Sequence, residues 1–140
     1  AVRRWTTKRN KVDIFEQDLV VFPVHLGSHW CLGVINMQLK RFEYYDSLAG
    51  RNKQCIDIMK EYLKCEYNDK KGGKEFDFNG WTVFYDAKTP QQLNGVDCGV
   101  FACKIADYIT RGKRPTFSQQ DISYFRRRMM WEVLKGKFYK

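Results

Sequence analysis

Apolar residues cluster in short runs in the first half of the chain and recur three and four apart in its last third. Residues 19–24 (Leu-Val-Val-Phe-Pro-Val) and 30–37 (Trp-Cys-Leu-Gly-Val-Ile-Asn-Met) are apolar and β-branched, which predicts central strands. Residues 41–46 (Arg-Phe-Glu-Tyr-Tyr-Asp) predict a third strand, paired to the second as a hairpin. From 52 to 66, Cys55, Ile58, Met59, Tyr62 and Leu63 fall at helical spacing, and a Lys/Gly loop follows at 70–74. A further short strand is expected at 81–85. Beyond it, Phe101, Ala102, Ile105, Ala106 and Ile109 place a largely buried helix that begins at or just before Cys98 and stops at Gly112. Residues 118–135 predict a last amphipathic helix, with Ile122, Phe125, Met129, Val133 and Leu134 inward and Arg126, Arg127 and Arg128 mostly outward. Strands early and helices late give an α+β class.

With 140 residues, 44% of them apolar and 16% aromatic, the chain can bury one sizeable core, so a single domain over 1–140 is expected. No run approaches the roughly 20 apolar residues of a membrane span, and the first residues lack the apolar stretch of a secretory signal. A soluble, intracellular chain follows as the expectation. Cys31, Cys55, Cys65, Cys98 and Cys103 form an odd set without a C-x-x-C pair, which suits neither a disulfide framework nor a four-thiolate zinc site. With His25 and His29 the only histidines, no metal is expected, and the thiols should be reduced, one of them reactive. The net charge of +9 sits at the ends: residues 1–10 hold four basic and no acidic groups, residues 111–140 nine and two. Basic ends suit an acidic partner or, at one remove, a nucleic acid; solvated surface faces are the plainer reading for most of these side chains.

A cysteine attacks as its thiolate, and a helix N-terminus favours that anion through its unpaired N–H groups and dipole. Cys98 has this location. Asn94 or Asp97 can cap the helix, while Gly95 and Gly99 keep side chains away from the sulfur. The alternative is a small core residue, the reading given to Cys103. A thiol nucleophile needs a base, and the base an orienting acceptor. A hairpin turning about Met37-Gln38 sets Asn36 opposite Leu39 and, counted back along both strands, His29 opposite Asp46 at a cross-strand spacing of about 5 Å. His25 precedes a turn at Gly27 and has no such partner. An oxyanion would need the Cys98 backbone N–H and a side-chain donor, for which Gln92 and Gln91 compete.

The order His29-Trp30, Asp46-Ser47 and Pro90-Gln91-Gln92-x-Asn-Gly-x-Asp97-Cys98-Gly99 resembles the SUMO-specific (sentrin-specific) cysteine proteases of the ubiquitin-like-protein-processing family. The likeness runs from Arg3-Arg4-Trp5-Thr6 to Trp131-Glu132-Val133-Leu134. It implies a papain-like cysteine protease fold: a central mixed or antiparallel sheet with the nucleophile at the start of a buried helix. It also implies Cys98 as nucleophile, His29 as base, Asp46 as its orienter, Gln92 as oxyanion donor, and Trp30 beside the channel for a Gly-Gly tail. Arg4, Trp5 and His25 become modifier contacts, although a tryptophan packed under the sheet is the alternative for Trp30. The implied activity is cleavage after the Gly-Gly end of a SUMO-like modifier, in deconjugation and precursor processing, without cofactor or membrane, in the nucleus and as a monomer. The resemblance lacks the Trp-Leu-Asn-Asp-like helical segment that opens the family's domain, so the chain reads as a C-terminal portion. A same-fold protease for a NEDD8-like modifier or ubiquitin, and a non-catalytic basic binding module, are the rival readings.

Overall fold

The computed structural model describes residues 5, 6, 10 and 12–139. Four strands, β1 (Leu19–His25), β2 (Trp30–Asn36), β3 (Arg41–Tyr45) and β4 (Thr82–Tyr85), form one sheet in that order. Three helices accompany them: α1 (Lys53–Lys70), α2 (Cys98–Thr110) and α3 (Ile122–Lys135). The Leu26 N–H donates to the His29 carbonyl, and the Met37 N–H to that of Asp18, the two ends of an antiparallel β1–β2 ladder. By contrast β4 runs parallel to β3, with Arg41 opposite Thr82 and Tyr44 opposite Tyr85. Parallel neighbours need a long crossover, and α1 supplies it. The sheet is therefore mixed, and one helix precedes the last strand instead of following all of them.

The described residues form two compact units. One comprises those up to 22, with 33–44 and 51–85; the other comprises 23–32, 45–50 and 86–139. In the first, Asn52 caps α1 by accepting from the Cys55 N–H at 2.8 Å, and Cys55, Ile56, Met59 and Leu63 point into the core with Val34, Ile35 and Phe42. Ile58, expected inward, is 61% exposed, and Ile56 takes the inward position. The helix comes so close to β2 that a Cβ on Gly33 would lie 3.1 Å from the Met59 sulfur. Phe15, Tyr67, Phe76, Phe78, Trp81 and Phe42 close the end of this core with edge and tilted ring contacts.

In the second unit, α2 buries Cys98, Val100, Phe101, Ala102 and Ile105, and α3 buries Ile122 and Phe125. Phe117 joins the two, its ring 5.3 Å from Phe101 and 5.5 Å from Phe125. Gly112 at φ +67° ends α2, a left-handed conformation that glycine adopts without steric cost. Two expectations fail here. Cys103 is exposed rather than core, because it lies between the buried positions 102 and 104 and the buried face of α2 turns the other way. On α3 the inward stripe stops after its first turn, leaving Val133 81% and Leu134 76% exposed. No helix among the described residues is long and apolar enough to cross a membrane.

Candidate active site

His29 is the residue before β2 and Asp46 the residue after β3. The His29 Nε2–H donates to Asp46 Oδ1 at 2.6 Å, and the same oxygen accepts the Leu48 N–H at 2.8 Å. A carboxylate can only accept, so the proton sits on Nε2 and Nδ1 is left as the basic atom of the ring. The hairpin that brings them together has a four-residue turn, Met37–Lys40, not the expected turn about Met37-Gln38. Strand ends Asn36 and Arg41 flank that turn. His29 and Asp46 still meet at the open end of the hairpin, away from the turn. The buried Cys31 is drawn into the same corner, its sulfur within 4.8 Å of the His29 and Asp46 donor atoms. This trio could offer donors to a metal, but its imidazole N–H and carboxylate already bond each other, the arrangement of an acid–base pair.

Cys98 opens α2 and is 6% exposed. Burial alone would push its thiol up, yet its pKa lies below the ordinary thiol value. The Trp30 backbone N–H, the hydrogen bond and charge of His29, and the Gly99 N–H together outweigh the burial. His29 shows the complementary shift. Desolvation disfavours its cation, but the bonds and charges of Asp46 and Cys98 raise its pKa above the ordinary imidazole value. Both shifts run in the direction that favours a thiolate beside an imidazolium.

The expected caps of α2 do not form. Asp97 is the N-cap residue but makes no side-chain bond to the helix. Its carboxylate instead accepts from Asn94 Nδ2 at 2.7 Å, Gln119 Nε2 at 2.8 Å and Arg126 Nε at 3.0 Å. Arg126, expected to face solvent, thus ties α3 to the loop before Cys98, and holds Asp97 below the usual carboxylate range together with Asn94 and Gln119. At the start of α2 the Gly99 N–H is turned to the sulfur. Nothing in the helical spacing of α3 set Arg126 apart from Arg127; its role depends on where a distant loop passes.

Of the two glutamines, Gln91 has its amide nitrogen on the backbone carbonyls of Thr89 (2.9 Å) and Asp46 (3.2 Å), which uses both of its N–H groups. Gln92 is buried and is held by Ser47 and Asn94. Trp30 is 42% exposed, lies 3.8 Å from where a Gly99 Cβ would stand, and stacks on His25 with ring centres 4.4 Å apart. A tryptophan packed under the sheet is therefore not what Trp30 is. Trp5 is exposed, its carbonyl accepting from Asn10, and Arg4 lies outside the described residues.

Gly50 is a site residue that sequence reasoning missed. A Cβ there would overlap Asp46 Oδ2 and lie 3.3 Å from its Cγ, while the other carboxylate oxygen is pinned by His29 and Leu48. Gly50→Ala should therefore turn the carboxylate away from the imidazole and lower kcat about 10- to 100-fold with little change in KM, as measured by steady-state kinetics. A wild-type kcat would show that the Asp46 orientation is not constrained from this side.

A mixed sheet, with a cysteine starting a buried helix beside a histidine and an aspartate at the strand ends, defines the papain-like cysteine protease fold. Residues 1–135 match the model of the Ulp1 protease family, C-terminal catalytic domain, and the chain belongs to that family. It is 43% identical over 137 residues to a sentrin-specific protease of Caenorhabditis elegans, covering 98% of this chain and 19% of that protein. Sentrin-specific protease 2 of Mus musculus is 42% identical over 137 residues, with 96% and 22% covered. Among solved structures, the C-terminal Ulp1 protease domain in complex with Smt3, the yeast ortholog of SUMO, superposes with a TM-score of 0.75 at 31% identity. That match covers 96% of this chain and 59% of the solved one. The chain thus spans about a fifth of the curated relatives and under two thirds of the solved domain.

Proposed function

We propose that this chain carries the reaction centre of a thiol isopeptidase and processing protease that cleaves after the C-terminal Gly-Gly of a SUMO-like modifier. The observation that carries the reading is the thiol–imidazole–carboxylate line, in which His29 both bonds Asp46 and lowers the pKa of Cys98. The names of the relatives supply the modifier. Cys98 sulfur attacks the glycine carbonyl carbon, and the oxyanion is received by the Cys98 backbone N–H and Gln92. Collapse breaks the C–N bond, and the His29 imidazolium gives its proton to the departing lysine amine. Water, deprotonated by His29, then attacks the thioester, releasing the glycine carboxylate and the Cys98 thiolate. Trp30, stacked on His25, would form one wall of the glycine channel. Arg4 and Trp5 would meet an acidic modifier surface.

On this reading the 140 residues belong to a single, monomeric catalytic domain, in which a preceding helical segment completes the channel and the modifier-binding surface. The enzyme would act in the nucleus. The test is a panel of SUMO-, NEDD8- and ubiquitin-derived probes with a vinyl-type electrophile at the C-terminal glycine, applied to the full-length protein. The expected result is labelling of Cys98 by the SUMO-derived probe, at a rate at least about tenfold above the other two. Faster labelling by another probe would reassign the modifier. Absence of Cys98 labelling by all three would sink the protease reading.

A further inference from the structure

We propose that Ser47 is a positioning residue that anchors the Gln92 amide in the orientation its oxyanion role requires; the proposal rests on the reading of Gln92 as oxyanion donor. A glutamine amide that receives a developing oxyanion must present nitrogen, and its two ends are nearly equal in shape, so something has to choose between them. The Asn94 carbonyl makes that choice, and two contacts with Ser47 hold the residue in place. The Gln92 backbone N–H donates to the Ser47 carbonyl at 2.9 Å, which fixes the loop against the residue after Asp46. One end of the Gln92 side chain meets the backbone carbonyl of Asn94. A carbonyl can only accept, so that end must be the NH2 group. The other end is therefore Oε1, and it lies 2.5 Å from Ser47 Oγ, whose hydroxyl must be the donor.

Both ends are thereby assigned by chemistry. One Gln92 N–H serves Asn94, and the second is left for an oxyanion. Ser47 is 2% and Gln92 6% exposed, so no water competes easily for either bond. The Asn94 carbonyl is itself steadied, because the Asn94 side chain accepts the Val96 and Asp97 N–H groups at 3.1 Å and donates to Asp97. A flipped amide would set Oε1 against the Asn94 carbonyl oxygen and leave that carbonyl unmet. Ser47 acts at one remove from the reaction by anchoring the other end of the amide, so that the side chain stays where Asn94 orients it.

Ser47→Ala removes the hydroxyl and keeps the backbone bond, so it frees the amide without moving the loop. In the full-length protein, with a SUMO-type modifier bearing a fluorogenic amide after Gly-Gly, kcat should fall about tenfold and KM stay within about twofold. Affinity for the corresponding modifier aldehyde, which binds Cys98 as a tetrahedral adduct, should weaken by the same factor of about ten, while that for the free product modifier stays put. In a Gln92→Ala background, Ser47→Ala should add nothing. A wild-type kcat for Ser47→Ala, a loss confined to KM, or an equal loss in both backgrounds would overturn the proposal. The reading of Gln92 fails separately, if Gln92→Ala alone keeps wild-type kcat.

Discussion

Cys98→Ala should lower kcat by at least about 10⁴-fold and leave binding of the modifier within about threefold of wild type. The asymmetry follows from the position of the sulfur. Cys98 is nearly buried at the start of α2, and its neighbours Trp30, His29 and Gly99 direct donors at it. Those donors stabilise an anion that alanine cannot form, so the covalent path closes. Alanine fills most of the same space, and the fold should stand, since deletion of one sulfur from a site lined by polar groups opens only a small void. Single-turnover cleavage together with calorimetry of modifier binding would read the two effects apart. Turnover at the wild-type rate would exclude Cys98 as nucleophile, whatever else the variant did.

For His29→Ala the expected result is a loss of about 10³-fold in kcat together with a change in the pH dependence of Cys98 itself. His29 contributes both a hydrogen bond and a charge to the lowering of the thiol pKa, so without it that pKa rises toward, or past, the ordinary value. A raised thiol pKa means less thiolate at any pH below it. Alkylation of Cys98 near pH 6 should therefore slow by roughly tenfold for each unit of rise, and the acid limb of its pH–rate profile should move to higher pH. In the wild-type protein Cys98 should react faster at that pH than Cys103, an exposed residue whose thiol is partly desolvated and held above the ordinary value. The wild-type cleavage profile should also fall on the alkaline side, above the raised pKa of His29, because the leaving amine then finds no proton. Mass-spectrometric rates of iodoacetamide labelling, residue by residue, measure this. Equal rates for Cys98 and Cys103 near pH 6 would argue for a binding module instead.

Much of this site was legible in order along the chain. The run of apolar positions from Phe101 to Ile109 located α2 and put Cys98 at its start, because helical burial leaves a three-to-four spacing that survives without knowledge of the fold. The His29–Asp46 contact was reached through a hairpin with the wrong turn, and it held since both residues lie at the open end of that hairpin, where the two strands remain neighbours. Patterning failed where burial depended on partners elsewhere in the molecule. Val133 and Leu134 have the right spacing for the core and no core to meet within their unit, whereas Ile56 displaced Ile58 because helix phase is decided by what α1 packs on.

What the sequence determined by itself was the inventory and its local setting: a thiol at a helix start, an imidazole and a carboxylate at the open end of a hairpin, two adjacent glutamines and a run of three arginines. Those follow from short-range periodicity, which each segment carries within itself. The choice among equals was decided by tertiary structure. The different settings of Gln92 and Gln91, on which the proposed oxyanion role rests, Arg126 over Arg127, and Asp97 as a carboxylate held by Arg126 instead of a helix cap all turn on hydrogen-bond partners 22 to 45 residues away. Gly50 belongs with them, as its missing side chain matters only because a carboxylate oxygen occupies the space. Hydrogen bonds are short and directional, so they distinguish neighbours that hydrophobic spacing cannot, and only the folded chain brings their two ends together.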